Sequence, residues 1–222
     1  MKFIGLFIIT ISVNIASLNA SNFSSVQCQN GELRSCLDYI ESFQTDQSGL
    51  SLEDALTQAA RLGHVPAMFT LGVRALGTIS KPVDINSAIY WFQQAGVNDD
   101  SLALLNLGLI FDHGIGIQKD LVKARSWYMK AANLGEPEAL FNLGVFLDEG
   151  LGGKQDKVAA VKSYELATKL GHARAAYNLA LIFGRGDGVK RNWNKAIKAL
   201  RRSRDLGYKQ AESLLKKWEK IE

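Results

Sequence analysis

His113 stands beside Asp112, and a histidine next to a carboxylate is the first place to look for general acid–base chemistry in a chain with only three histidines. No nucleophile motif supports it, since Gly-x-Ser-x-Gly and His-Glu-x-x-His are both absent. His64 and His172 each follow a glycine and lie three lengths of a 36-residue interval apart, which marks them as equivalent positions of a repeat rather than catalytic bases. Paired glycines, Gly114 with Gly116, Gly150 with Gly152 and Gly186 with Gly188, precede predicted helices, where backbone amides can cradle phosphate. They recur at the same interval, so a single turn geometry accounts for all of them. Cys28 and Cys36 are the only cysteines, with no histidine nearby to complete the four ligands that zinc takes. No residue set points to a metal, a cofactor or a catalytic centre.

The 36-residue interval is itself the dominant feature of the chain. Leu71-Gly72, Leu107-Gly108, Leu143-Gly144 and Leu179-Ala180 recur at that spacing, with Ala67, Ala103, Ala139 and Ala175 four residues before each Leu. A second half repeats in register: Ala88, Ala124, Ala160 and Ala196 are followed by Ala95, Ala131, Ala167 and Ser203. Between them lie Phe92, Tyr128, Tyr164 and Leu200. Small residues at helical spacing beside large ones predict two closely packed helices per unit, an A helix and a B helix. Asp84, Asp120, Asp156 and Asn192 stand where a side-chain oxygen caps the B helix. The first copy has Thr78 and Ser80 in place of the turn glycines, so its hairpin turn should differ. The periodic leucines, Leu143 among them, are expected in the core, as are Trp91 and Trp127 at one shared position of the B helix.

The start of the chain reads as an address. Met1 and Lys2 lead into an apolar run from Phe3 to Ile11, which ends in small residues at Ala16 to Ala20, the order of a secretory signal with cleavage after Ala20. Asn14 interrupts a stretch already short of the roughly 20 apolar residues that a spanning helix needs. An exported chain meets oxidising conditions, in which Cys28 and Cys36 close readily, stabilising the N-terminal part by about 2.5 kcal/mol, with free thiols as the alternative. The expected organisation is a signal peptide over 1–20, a cap over 21–50, a half repeat over 51–63, four repeats over 64–207 and a closing helix over 208–222. The protein should then be periplasmic or secreted, with no integral membrane segment after signal removal. A net charge of +4 on 222 residues is too small to indicate nucleic acid. That balance hides an asymmetry, for residues 21–171 carry a net −5 and residues 172–222 a net +8.

With A-x-x-x-L-G in the A helix, G-x-G in the turn and A-x-x-W/S-Y-x-x-A-A-x-x-G in the B helix, the chain resembles the Sel-one-like repeat proteins, tetratricopeptide-like and of the exported bacterial type. The resemblance implies an all-α, right-handed α-solenoid that binds another protein or a peptide and is not an enzyme. It implies as narrower roles an immunity protein that neutralises an effector toxin or a scaffold for envelope or host proteins, and as a remoter one an enzyme acting on cell wall or β-lactams. In a tetratricopeptide arrangement the A helices line a concave groove. Counting from the periodic Leu, Asn106, Asn142 and Asn178 fall where similar grooves hold the backbone of an extended peptide, because an amide both donates and accepts. Leu105, Phe141 and Tyr177 precede them. Asp112, Glu138 and Asp148 at one end of the groove and Arg174 and Arg185 at the other are the expected charged contacts.

Overall fold

A computed structural model describes residues 33–34, 36–37, 51–77 and 83–218. Every regular element among them is an α-helix, and the fold is all-α, of the α-solenoid class. The signal segment, most of the N-terminal cap, Cys28, Thr78 and Ser80 lie outside the described residues. Cys36 is fully buried.

Two compact units divide the chain after Asn98. The first contains α1 (Leu52–Arg61), α2 (Val65–Ala75) and α3 (Ile85–Val97). The second contains α4 (Ser101–His113), α5 (Leu121–Asn133), α6 (Pro137–Glu149), α7 (Lys157–Lys169), α8 (Ala173–Arg185), α9 (Trp193–Asp205) and α10 (Lys209–Trp218). Within it each helix packs on the next in sequence, with α4, α6 and α8 as A helices and α5, α7 and α9 as B helices.

The hairpins are fixed at both ends of their turns. Asp84, Asp120, Asp156 and Asn192 each accept from the backbone N–H three residues on, as their spacing predicts. The same residues donate their own N–H to Ala75, Phe111, Leu147 and Phe183, near the end of the preceding A helix, at 2.8–2.9 Å. One residue thus starts the B helix and ties it to its partner. His64 and His172 cap α2 and α8 through Nδ1, which accepts from Ala67 and Ala175, so their repeat spacing reflects a capping role.

Helix-to-helix distance within a hairpin is set by a glycine against a ring. A Cβ added at Gly72, Gly108 or Gly144 would come within 2.5–2.6 Å of the rings of Phe92, Tyr128 or Tyr164. The fourth hairpin puts Ala180 and Leu200 at the same two positions, both fully buried, so a Cβ returns where the ring has gone. Ser203 replaces the last alanine of the B-helix series and is buried without cost, because its hydroxyl donates to Ala173 O at 2.8 Å.

Three core expectations need correction or refinement. Leu71, Leu107 and Leu179 are buried, whereas Leu143 is only half-buried. Trp91 and Trp127 are half-exposed rather than core. Trp127 carries Lys130 Nζ 4.1 Å above its ring, an arrangement suited to a surface indole.

The junction at Asp99 departs from the others. Gly63, Gly135, Gly171 and Gly207 take φ of 82–91° at the other junctions, and a Cβ on any of them would have nothing within 4 Å, so backbone conformation alone demands glycine. Asp99 holds φ 62° at the same repeat position. Asp99→Gly should therefore raise stability by about 0.5–1 kcal/mol, measured by urea unfolding; a loss of stability would mean that the Asp99 carboxylate contributes more than its backbone costs.

Candidate functional site

One face of each A helix carries a stripe of residues at spacings of four, three and four, all of them outside the core except Asn106. On α4 the stripe is Leu102, Asn106, Leu109 and His113; on α6 it is Glu138, Asn142, Val145 and Glu149; on α8 it is Arg174, Asn178, Leu181 and Arg185. The A-x-x-x-L-G pattern predicts this face, because the buried alanine and leucine fix the opposite side of each helix.

The three asparagines do not have equal freedom. Asn106 is buried, and its Nδ2 donates to Leu102 O at 2.8 Å, one turn back in its own helix. Asn178 is half-buried and donates to the Tyr164 hydroxyl at 3.3 Å. That hydroxyl is pushed up to about 12, chiefly by burial, so it remains protonated at neutral pH. Asn142 is half-buried and makes no side-chain hydrogen bond to any described residue, leaving its donors and acceptor available. The structure thus places Asn142 and Asn178 at an accessible face and gives Asn106 to the fold.

Their expected neighbours divide similarly. Leu105 and Phe141 are buried, 1% and 3% exposed, and cannot line a groove; Tyr177 is half-buried, its ring 5.1 Å from that of Tyr208. A residue one step before the asparagine is rotated by about 100° around the helix, which turns Phe141 toward Tyr164 and the start of the next hairpin. The apolar residues that do share the asparagine stripe are Leu102 and, three residues after each asparagine, Leu109, Val145 and Leu181, all half-buried. Spacing from the asparagines by three would have found the last three.

Among the acids, Asp112 accepts from the Tyr128 hydroxyl at 3.2 Å and pairs with Lys119. Asp148 pairs at 3.3 Å with Lys157, which also holds Asp187 in the next hairpin. Both acids are occupied within the fold, in place of the free groove contacts expected of them. Glu138 and Glu149 remain on the stripe of α6, and Arg174 and Arg185 are exposed on that of α8. The Arg174 guanidinium lies 4.6 Å from the centre of the Phe141 ring, which positions its charge beside Glu138.

Glu138 is joined to the next hairpin through a histidine. His172 Nδ1 accepts the capping bond from Ala175, which leaves Nε2–H to donate to Glu138 Oε2 at 2.9 Å. The imidazole also stacks on Phe141, 4.5 Å between centres. The His172 hydrogen bond is the largest of the influences that hold the Glu138 carboxyl below its ordinary value of 4.5. Because the folded-state value is depressed, the stabilisation is complete above pH 4.5 and is lost as pH falls through the lower folded value. Glu138→Gln should flatten the part of the acid stability loss that begins near pH 4.5. Urea midpoints for both proteins between about pH 3 and about pH 6 check it, and parallel curves would show that the pair contributes nothing.

Among the described residues, the histidine and the serine–lysine spacing that could suggest catalysis are not set beside a catalytic partner. His113 is exposed and makes no hydrogen bond to any described residue. A Ser-x-x-Lys spacing occurs at Ser213 and Lys216, but Ser213 donates to Gln210 O and Lys216 pairs with Glu212, so the two do not engage each other. No metal-binding cluster exists among the described residues, and no described helix is long and apolar enough to cross a membrane.

The four hairpins match the Sel1 repeat at residues 65–96, 101–136, 137–172 and 173–208. The chain belongs to the Sel1 repeat family. A comparison with curated protein sequences finds no match. Among solved structures, this Sel1 chain is similar to c5321, a protective antigen of uropathogenic Escherichia coli with an SLR fold, at 26% identity and a TM-score of 0.75 over 88% of this chain and 43% of that one. It is also similar to a Sel1 repeat protein of Oxalobacter formigenes, at 27% identity and a TM-score of 0.63 over 73% of this chain and 65% of the other. It therefore spans less than two thirds of the length of either. The immunity protein Pa5087 of Pseudomonas aeruginosa is 20% identical with a TM-score of 0.45, over 88% of this chain and 74% of that one, too distant to carry an argument.

Proposed function

We propose that this Sel1 protein is a non-catalytic interaction module that holds a protein or an extended peptide on the exposed stripe of α6 and α8. The observation that carries this reading is Asn142, an accessible amide with no hydrogen bond to any described residue, set between Glu138 and Val145 on one stripe and matched at the next repeat by Asn178. Amides there can take a partner's backbone, Val145 and Leu181 can take its apolar side chains, and Glu149 and Arg185 can set its direction.

Partner capture from envelope extract, followed by binding kinetics, tests it. Asn142→Ala and Asn178→Ala should each speed dissociation about tenfold. Arg185→Glu should slow association and flatten its salt dependence. Normal binding by these variants, with loss on Lys162→Glu in α7, would move the protein-binding site to the B helices.

Export is part of the same proposal, supported by the signal-like order of residues 1–20. It includes the Cys28–Cys36 disulfide, which predicts that protein recovered from the periplasm resists alkylation until reduced. Neutralisation of a toxin is the narrower reading. It requires an effector gene beside this one, and a locus without such a neighbour counts against it.

A further inference from the structure

Charge in the second unit is divided between helix types as well as along the chain. The B helices α5, α7 and α9 carry eleven basic residues against two acids, Glu165 and Asp205, while the A helices α4, α6 and α8 carry four acids and two arginines. Apolar exposure follows the same division. Val122 and Met129 on α5, and Val158 and Leu166 on α7, are 49–68% exposed. The unit's other exposed large apolar side chains, Leu134 and Leu170, are the residues that end these two helices. No exposed large apolar residue lies on an A helix.

We propose that the B-helix side of the second unit is a docking surface for an anionic lipid bilayer. Val122 and Val158 occupy one repeat position, Lys162 and Lys198 a second and Leu166 and Arg202 a third, while Met129 and Lys169 fall within the same arc of their own helices, so these side chains share one side of the stack. Lys162, Lys169, Lys198 and Arg202 are exposed there, and none pairs with an acid among the described residues. The composition favours lipid over protein. Protein interfaces are depleted in lysine at their cores, whereas isolated aliphatic side chains among long, flexible cations match a surface of acyl chains beneath diffuse phosphate charge. Lys130, lying over the Trp127 ring, adds an indole with an ammonium beside it, a pairing suited to the boundary between headgroup and hydrocarbon. Glu165 is half-buried and Asp205 is held by Arg204, so neither acid cancels the field of the face.

This surface is separate from the stripe proposed to hold a protein, so each fails or stands on its own measurement. Flotation of the purified chain with phosphatidylcholine vesicles, with and without about 30% phosphatidylglycerol, is the test. Any contribution of the apolar segment near the start of the chain is common to every variant, so the readout is the difference between the two vesicle types. Binding to the anionic vesicles should be at least about tenfold tighter and should weaken steeply with salt. A variant combining Lys162→Glu, Lys169→Glu, Lys198→Glu and Arg202→Glu should lose that preference, and Met129→Ser with Leu166→Ser should weaken binding about threefold or more at unchanged charge. Circular dichroism confirms that each variant is folded. Equal binding to both vesicle types, or a charge-reversed variant that keeps the preference, overturns the proposal. Failure to bind vesicles while an acidic protein is captured through these lysines overturns it equally and makes the face a protein interface.

Discussion

Tyr128→Ala should lower the unfolding free energy of the second unit by about 3–5 kcal/mol, the cost of emptying a large aromatic site. Tyr128 is fully buried, lies against Gly108 and places its ring 5.2 Å from Phe146 in the next hairpin. Its hydroxyl, raised well above its ordinary value mainly by burial, donates to Asp112. Gly108→Ala supplies the sharper test. Alanine is normally favoured over glycine within a helix by about 1 kcal/mol, yet here the new methyl would sit 2.5 Å from ring carbons and should cost about 1–3 kcal/mol by overpacking. With Tyr128 already replaced by alanine, the same change should become neutral or stabilising. Urea unfolding of the two single variants and the double variant reads the sign directly. An equal cost in both backgrounds would mean that the ring does not set the helix spacing.

Leu107→Ala should cost about 2–5 kcal/mol, while Leu143→Ala at the same repeat position should cost less than about 2 kcal/mol. Leu107 is completely buried and Leu143 only half-buried, so the two deletions remove different amounts of apolar surface from the interior. Denaturant titration, with hydrogen exchange to localise the loss, compares them. Equal losses would show that burial at this position does not govern its contribution.

That difference marks the limit of what periodicity makes legible. A 36-residue spacing says that Leu107 and Leu143 are equivalent, and it reaches the hairpins, their caps and the glycine turns because each rests on local rules that every copy obeys. It does not say how deeply each copy is buried, which depends on neighbours from two hairpins. The same limit explains Leu105 and Phe141. They stand next to the asparagines in sequence, but one residue is most of a third of a turn, and only the packed structure shows which adjacent position faces the next hairpin. Asn106 and Asn142 illustrate a finer ambiguity, since identical residues at one repeat position either fold back on their own helix or stay available. The basic and apolar side of α5, α7 and α9 is legible in the sequence only at its C-terminal end, as the net +8 of residues 172–222, and its extension over α5 and α7 is hidden for the opposite reason. Its residues differ from copy to copy, so a search for identity passes over a face whose chemistry is shared only in kind.

The glycine-against-ring fit has a consequence for how such a chain can lengthen or shorten. Both halves of the fit belong to a single hairpin: Gly108 meets Tyr128, and Gly144 meets Tyr164. A duplication or deletion with its breakpoints at the junction glycines carries each matched pair intact, and the new neighbours need only tolerate one another's surfaces. A breakpoint in the turn after an A helix would instead marry the glycine of one copy to the side chain of another. Between the third and fourth hairpins that exchange would set Gly144 opposite Leu200 or Ala180 opposite Tyr164, one pair leaving a void and the other colliding. The heritable cassette of this architecture is therefore the A–B hairpin, and recombination within it is filtered out by the width of one methyl group.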